Sequence, residues 1–165
     1  MITRAEAEDF LYQEAHLLDN NKLYEWRDMM TDDVIYWVPV NDDDSDPQKH
    51  LSIIYDDKAN LSGRIWRILE SGINHTQDPP SKMIRFVTNC RVEPAERDDE
   101  VTVYSNVWLT TFRPHAQRVD DIAAIHYAAN QTHRLRLIEG TWQIAFKKVS
   151  LLEMDAHLGA MTHII

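Results

Sequence analysis

The side chains able to do chemistry are scattered along the chain. The soft metal ligands are eight histidines (His16, His50, His75, His115, His126, His133, His157, His163) and one cysteine, Cys90. Zinc ribbons and iron–sulfur clusters each need two or more thiolates, so a single cysteine excludes them from this chain. A non-haem iron site of two histidines and a carboxylate needs three side chains meeting at one point. No two histidines stand four apart, as neighbours on one helix face would. His126 and His133 are seven apart on a predicted strand, an odd separation that sends them to opposite faces. His75 and Asp78 lie close together in a predicted loop. Surface histidines, or core histidines with hydrogen-bond partners, are the reading this pattern favours. Cys90 is expected to be a small buried hydrophobe rather than a nucleophile.

Acid–base chemistry is the more serious option. Asp33, Tyr36, Tyr55, His75 and His126 can line a cavity between helices and sheet, where an apolar wall would shift their protonation. Against this, an Asp beside a helix end is usually a cap, and a strand tyrosine is usually core with its hydroxyl at the edge. The four glycines, Gly63, Gly72, Gly140 and Gly159, form no phosphate-cradling loop and no Gly-x-Ser-x-Gly elbow. Arginine placement is more informative. Arg64 and Arg67 stand three apart on a predicted helix, beside Trp66 and just before the Asp78-Pro79-Pro80 turn. Arg85, Arg91, Arg134 and Arg136 decorate predicted strands of an acidic protein. Solvation accounts for most such charges. An interface is the alternative, because Arg and aromatic residues are enriched there.

The elements that would position these groups follow from periodicity. Thr3-Arg4-Ala5-Glu6 is a capping box, and Ala7, Phe10, Leu11, Ala15 and Leu18 make one stripe of the helix behind it. Asp19-Asn20-Asn21 ends it, and a second helix carries Leu23, Trp26 and Met30 on one side. Val34 to Val40 is apolar at both parities, so that strand is covered on both faces, with Pro39 at an edge or at its exit. Asn41 to Pro47 is a solvated loop, and Leu51 to Tyr55 is a short strand or a helix start. Leu61, Ile65 and Ile68 mark a third helix between Asp57 and Leu69, which Gly72 stops in the left-handed conformation. Ile84, Phe86, Thr88, Cys90 and Val92 are expected on one face of a half-buried strand. Val101, Val103, Ser105, Val107, Leu109 and Thr111 face one way on the next, with Tyr104, Trp108 and Phe112 opposite. Strands over 122–138 and 141–151 meet at a Glu139-Gly140 hairpin, and an apolar pair, Ile164-Ile165, ends the tail. The pattern predicts an α+β fold, helices first and antiparallel sheet second.

A length of 165 residues fits one domain, 1–165. Lys and Arg number 17 against 27 Asp and Glu, a net charge of −10 and the wrong sign for binding nucleic acid through its phosphates. No run of about 18 apolar residues is present, so no membrane span is expected. The N-terminus lacks the apolar stretch of a secretory signal, and a lone cysteine suits a cytoplasmic location.

Taken in order, several segments resemble the small (β) subunit of aromatic-ring-hydroxylating dioxygenases. They are Glu8 to Ala15, Leu17-Leu18-Asp19, Glu25-Trp26, and Asp33 followed by Tyr36-Trp37-Val38-Pro39-Val40. Leu61 with Arg64-Ile65-Trp66-Arg67, Asp78-Pro79-Pro80-Ser81-Lys82, and Thr88 to Val92 continue the likeness. Tyr104-Ser105-Asn106 and Thr141-Trp142 with Lys147-Lys148 complete it, from residue 6 to about residue 155. Lys82 stands where the family usually has arginine, and Leu151-Leu152-Glu153 replaces a frequent Leu-Asp-Gln.

The resemblance implies a cone-shaped α+β fold of the nuclear-transport-factor-2-like (NTF2-like) type, with N-terminal helices packed on a strongly curved mixed or antiparallel sheet. It implies a non-catalytic structural subunit, with no cofactor in this chain. The partner α subunit would hold a Rieske [2Fe-2S] cluster and a mononuclear iron, commonly as α3β3, with NAD(P)H electrons arriving through a reductase. The partners expected are therefore that large subunit and copies of this chain. Arg64, Trp66, Arg67, Asp78, Pro79 and Pro80 are the candidate interface, with Trp66 foremost among the tryptophans. The rival readings are a stand-alone NTF2-like dehydratase or isomerase using the Asp33, Tyr36, Tyr55, His75 and His126 pocket, and a homo-oligomeric binding module.

Overall fold

The computed structural model describes residues 2–41, 46–72, 79–113, 124–152 and 163–165. Helix α1 (Arg4–Asp19) opens on the expected capping box: the Thr3 hydroxyl accepts from the Glu6 amide, and the Glu6 carboxylate accepts from the Thr3 amide at 2.7 Å. It buries Ala7, Leu11, Glu14, Ala15, Leu17 and Leu18. A tight turn with Asn21 at φ 54 leads to α2 (Leu23–Asp28), which buries Leu23 and Trp26. Met30, expected on that helix, instead starts β1 (Met30–Pro39). Next come β2 (Ser52–Asp57) and α3 (Lys58–Leu69). The chain continues through β3 (Lys82–Pro94), β4 (Glu100–Phe112), β5 (Ile125–Ile138) and β6 (Thr141–Leu151).

The strands form one sheet in the order β2-β1-β6-β5-β4-β3. Every pairing is antiparallel except β1 with β6, which is parallel. β1 and β2 precede α3, as the Val34 to Val40 strand and the Leu51 to Tyr55 piece allow, and β1 lies between β2 and β6. α1 packs on β3 at one edge, while α2 and α3 pack on β1, and α3 also on β2, near the other. That gives an α+β layer pair with the core between.

The double-parity apolar character of β1 has a direct cause. Val34, Tyr36 and Val38 face the helices and are fully buried. Trp37 faces the other way, yet it is covered by Tyr55, Phe146 and Lys148, whose ammonium sits 4.4 Å from the ring. Pro39 is the strand's exit, at a register shift with β2.

One face assignment is overturned. Ile84 and Phe86 point outward and are each 58% exposed, while Met83 and Arg85 are buried. The cause is a bulge between Thr88 and Arg91, where Asn89 takes φ 56. An extra residue shifts parity, so Cys90 and Val92 pack against the core while Ile84 and Phe86 do not. The β4 faces are as expected. At the β5–β6 hairpin, Glu139 and Gly140 have φ 49 and 84, the pair of positive values a two-residue turn of this hand needs.

Candidate functional site

Between helices and sheet lies a cluster of ionisable side chains. Glu14 of α1 stands on the apolar stripe between Leu11 and Leu18 and points into the core. The Lys147 Nζ donates to its Oε1 at 2.8 Å, the Trp26 Nε1–H to the same oxygen at 2.9 Å, and His133 Nε2 lies 3.0 Å from Oε2. None of these side chains is more than 3% exposed. Lys147 and His133 are direct cross-strand neighbours, and the Lys147 ammonium also lies over the Trp26 and Tyr36 rings. Lys147 and His133 hold the Glu14 carboxyl well below its ordinary value, against the opposing effect of burial. A carboxylate, an imidazole and an amine at hydrogen-bond distance are the ingredients of a proton relay. Here they are paired through Glu14 and sealed from solvent, with the His133 Nδ1 left without a partner among the described residues.

A second polar node closes the interior. The Arg85 Nη1 donates to Asp19, its Nη2 to the Ile164 carbonyl, and its backbone amide to Asp19 at 2.9 Å. The Tyr36 hydroxyl donates to the Ile165 carbonyl at 2.9 Å, and burial pushes that phenol up in pKa. Ile164 and Ile165 are buried, and the His163 ring lies tilted against that of Tyr127 with centroids 5.5 Å apart. A void of about 10 Å³ remains beside Leu18, Leu23, Ile68, Met83, His163 and Ile164.

The residues expected to line an acid–base pocket are not gathered. Tyr36 is interior and bound to Ile165. Asp33 is an exposed carboxylate paired with Arg136 at 2.8 Å, and Tyr55 is 43% exposed. His126 lies on the outer face of the sheet, against Thr110 and the Trp108 ring. His75 lies outside the described residues. Cys90 is half-buried rather than buried, with its thiol pKa raised by that partial burial. Among the described residues, no three His, Cys, Asp or Glu side chains come together as a metal site.

Of the expected interface residues, Trp66 and Arg67 are exposed on α3, together with Leu69. Arg64 is committed within the chain, its Nε and Nη2 donating to both Asp56 oxygens at 2.6 and 3.2 Å. Pro79 and Pro80 are exposed, and Asp78 lies outside the described residues.

The sequence reading missed the outer sheet face. Phe86, Trp108 and Ala128 are register partners across three strands, with Ile84, Thr110 and His126 in the next row. An uncharged polar row borders them, in which Asn89 donates to Asn106 and Asn106 to Asn130. Ile84, Phe86 and Trp108 are each about half exposed or more. The signal is in the sequence: Trp108 alternates away from the core face of β4, which puts a large aromatic on the solvent side. Glu14, His133 and Lys147 all occupy inward-facing positions, a clustering that only the fold brings together.

No helix among the described residues is long and apolar enough to cross a membrane. The family described as ring hydroxylating beta subunit matches residues 13–155. The chain is 32% identical over 157 residues to the small oxygenase component of the p-cumate 2,3-dioxygenase system of Pseudomonas putida, covering 94% of this chain and 82% of that one. It is also 32% identical to the β subunit of N,N-dimethyl phenylurea N-demethylase of Sphingobium sp. (strain YBL2), covering 92% and 84%. The crystal structure of the β subunit of benzoate 1,2-dioxygenase from Burkholderia mallei superposes with a TM-score of 0.78 at 25% identity, covering 99% of each chain.

Proposed function

The chain belongs to the ring-hydroxylating β-subunit family, and from that membership we propose that it is the structural small subunit of an aromatic-ring dioxygenase, seated on a large α subunit and on copies of itself. The redox centres, a Rieske cluster and a mononuclear iron fed from NAD(P)H through a reductase, belong on this reading to the large subunit. The stoichiometry proposed is α3β3.

One observation carries the reading: the reactive groups and the large apolar side chains are in the opposite places from those an enzyme needs. Glu14, His133 and Lys147 are sealed in the core, while Trp66, Phe86 and Trp108 are about half exposed. Exposed aromatic clusters on a soluble chain mark surfaces that another chain covers. Two such surfaces, the α3 face with Trp66 and Arg67 and the outer sheet face with Ile84, Phe86 and Trp108, suit a chain that contacts two kinds of neighbour. The stand-alone dehydratase or isomerase has no comparable support, since Tyr36 is in the core, Asp33 is exposed beside Arg136, and His126 is on the outer sheet face.

Co-expression of the large subunit with and without this chain tests the proposal. The expected result is a stable, active hetero-oligomer only when both are present, because burial of a partner surface stabilises the assembly by mass action. A large subunit that assembles and turns over fully alone, or turnover by this chain alone, overturns it.

A further inference from the structure

The inner end of the fold is built to hold oxygen atoms, and the chain's own last described residues hold that place. A guanidinium presents two forks to acceptors, and each can grip a carboxylate with two parallel bonds. Arg85 uses Nη1 on Asp19, while Nη2, which belongs to the side-on fork with Nε, takes the Ile164 carbonyl. Nε has no partner among the described residues, although the Arg85 side chain is 2% exposed. A buried N–H left unpaired is costly, so the fork is half used. The Tyr36 hydroxyl supplies another buried donor, and it too is met by a carbonyl of this segment, that of Ile165. The small void beside Ile164 is lined by the apolar side chains of Leu18, Leu23, Ile68 and Met83 together with Asn21 and His163. The segment holding this place carries the apolar side chains of Ile164 and Ile165, the His163 imidazole and two main-chain oxygen acceptors, so apolar bulk and oxygen acceptors are what the place takes.

We infer that the interior of the fold is a binding site for an apolar monocarboxylate, occupied here by residues 163–165 through the side-on fork of Arg85 and the hydroxyl of Tyr36. The carboxylate would close both N–H bonds of the fork, which a single carbonyl does not. Its apolar body would take the volume of the Ile164 and Ile165 side chains. The inference stands apart from the subunit role, since it needs no partner chain.

Calorimetric titration of benzoate into the full chain and into a chain lacking residues 163–165 tests it, with benzamide as the neutral isostere. The truncated chain should bind benzoate saturably and at least about tenfold more tightly than the full chain, the scale of one charge-assisted bond. Benzamide should bind more weakly. R85K in the truncated chain keeps a cation beside Asp19 but removes the fork, and it should cost about the same factor. A folded truncated chain that ignores benzoate, binds benzamide equally well, or keeps benzoate through R85K overturns the inference. Where the truncated chain does not fold, the I164A/I165A chain takes its place in the same titrations. Failure of both to fold makes residues 163–165 an integral part of the core and equally overturns it.

Discussion

Glu14 of α1 and Lys147 of β6 pair at 2.8 Å in the core with both side chains sealed from solvent. They join the first helix to the last strand, so the bond exists only when the whole chain has folded. Removing one partner leaves an uncompensated buried charge, which costs about 3–5 kcal/mol, whereas replacing both by apolar groups of similar shape is often neutral. Lys147→Met should therefore lower the denaturant midpoint severely, and Glu14→Leu combined with Lys147→Met should recover much of the loss. His133 tempers the recovery, because it loses its carboxylate partner in the double variant. Urea unfolding of the two variants measures this. Equal losses in single and double variants would show that the pair is not coupled.

Acid should act on the same pair. The folded Glu14 carboxyl lies well below its ordinary value of 4.5, held there by Lys147 and His133. A carboxyl depressed in the folded state contributes stability that is complete above its unfolded value and is lost as pH falls toward its folded one. The loss from this group should therefore begin below about pH 4.5 and be absent from Glu14→Gln, compared by thermal unfolding across that range.

His163 sets a different window. Burial, then the Arg85 charge, lower its pKa from 6.5 to about 4. The unfolded chain thus binds a proton between pH 6.5 and about 4 that the folded chain refuses. Stability should fall through that interval as pH drops and level off below it as far as this group is concerned. His163→Phe keeps a ring against Tyr127 and removes the titration, so its stability curve should be flatter between those limits. An unchanged slope would show that His163 does not control it.

How much of this was readable in the sequence depends on what each residue's neighbours are. Local signals were sufficient where the physics is local: the Thr3–Glu6 cap, the stop before α2, and the Glu139-Gly140 turn all lie where composition placed them. The inward face of β3 was misread because alternation carries no marker for an inserted residue, and Asn89 inserts one. Arg85 looks like a surface charge in sequence because its partners, Asp19 and Ile164, are 66 and 79 residues away. Glu14, His133 and Lys147 pose the same difficulty, since each is an ordinary polar residue until the other two arrive. A pocket of Asp33, Tyr36 and His126 is reasonable in sequence, yet the odd spacing of Asp33 and Tyr36 along β1 puts one outside with Arg136 and the other in the core, while His126 lies on the outer sheet face.

Asp57 caps α3 by accepting from the Asn60 amide at 2.8 Å, and that helix carries the exposed Trp66 and Arg67. Losing an N-cap of this kind costs about 1 kcal/mol. Asp57→Ala should lower the unfolding free energy by that amount, while Asp57→Asn or Asp57→Ser should keep most of it. Fraying of α3, read by amide hydrogen exchange, should accompany the loss, and an unfrayed helix in Asp57→Ala would show that the cap is not what holds its first turn.

The two exposed aromatic surfaces can be told apart by charge. Trp66 on α3 is 52% exposed and Trp108 on the outer sheet face is 49% exposed, so a carboxylate at either position meets water in the isolated chain and should leave its fold intact. Inside an interface the same carboxylate would be desolvated without a partner, and a buried aromatic anchor lost with it is typically worth about 2 kcal/mol or more. Trp66→Glu and Trp108→Glu should each weaken assembly by roughly thirtyfold or more, the factor that energy implies. If the surfaces serve different neighbours, the two variants should stall at different intermediates, which size measurement on the co-expressed complex separates. Phe86→Glu should behave like Trp108→Glu, because the two side chains are register partners on the same face. Normal assembly in both Trp108→Glu and Phe86→Glu would remove the outer sheet face from the complex and leave α3 as its remaining candidate contact.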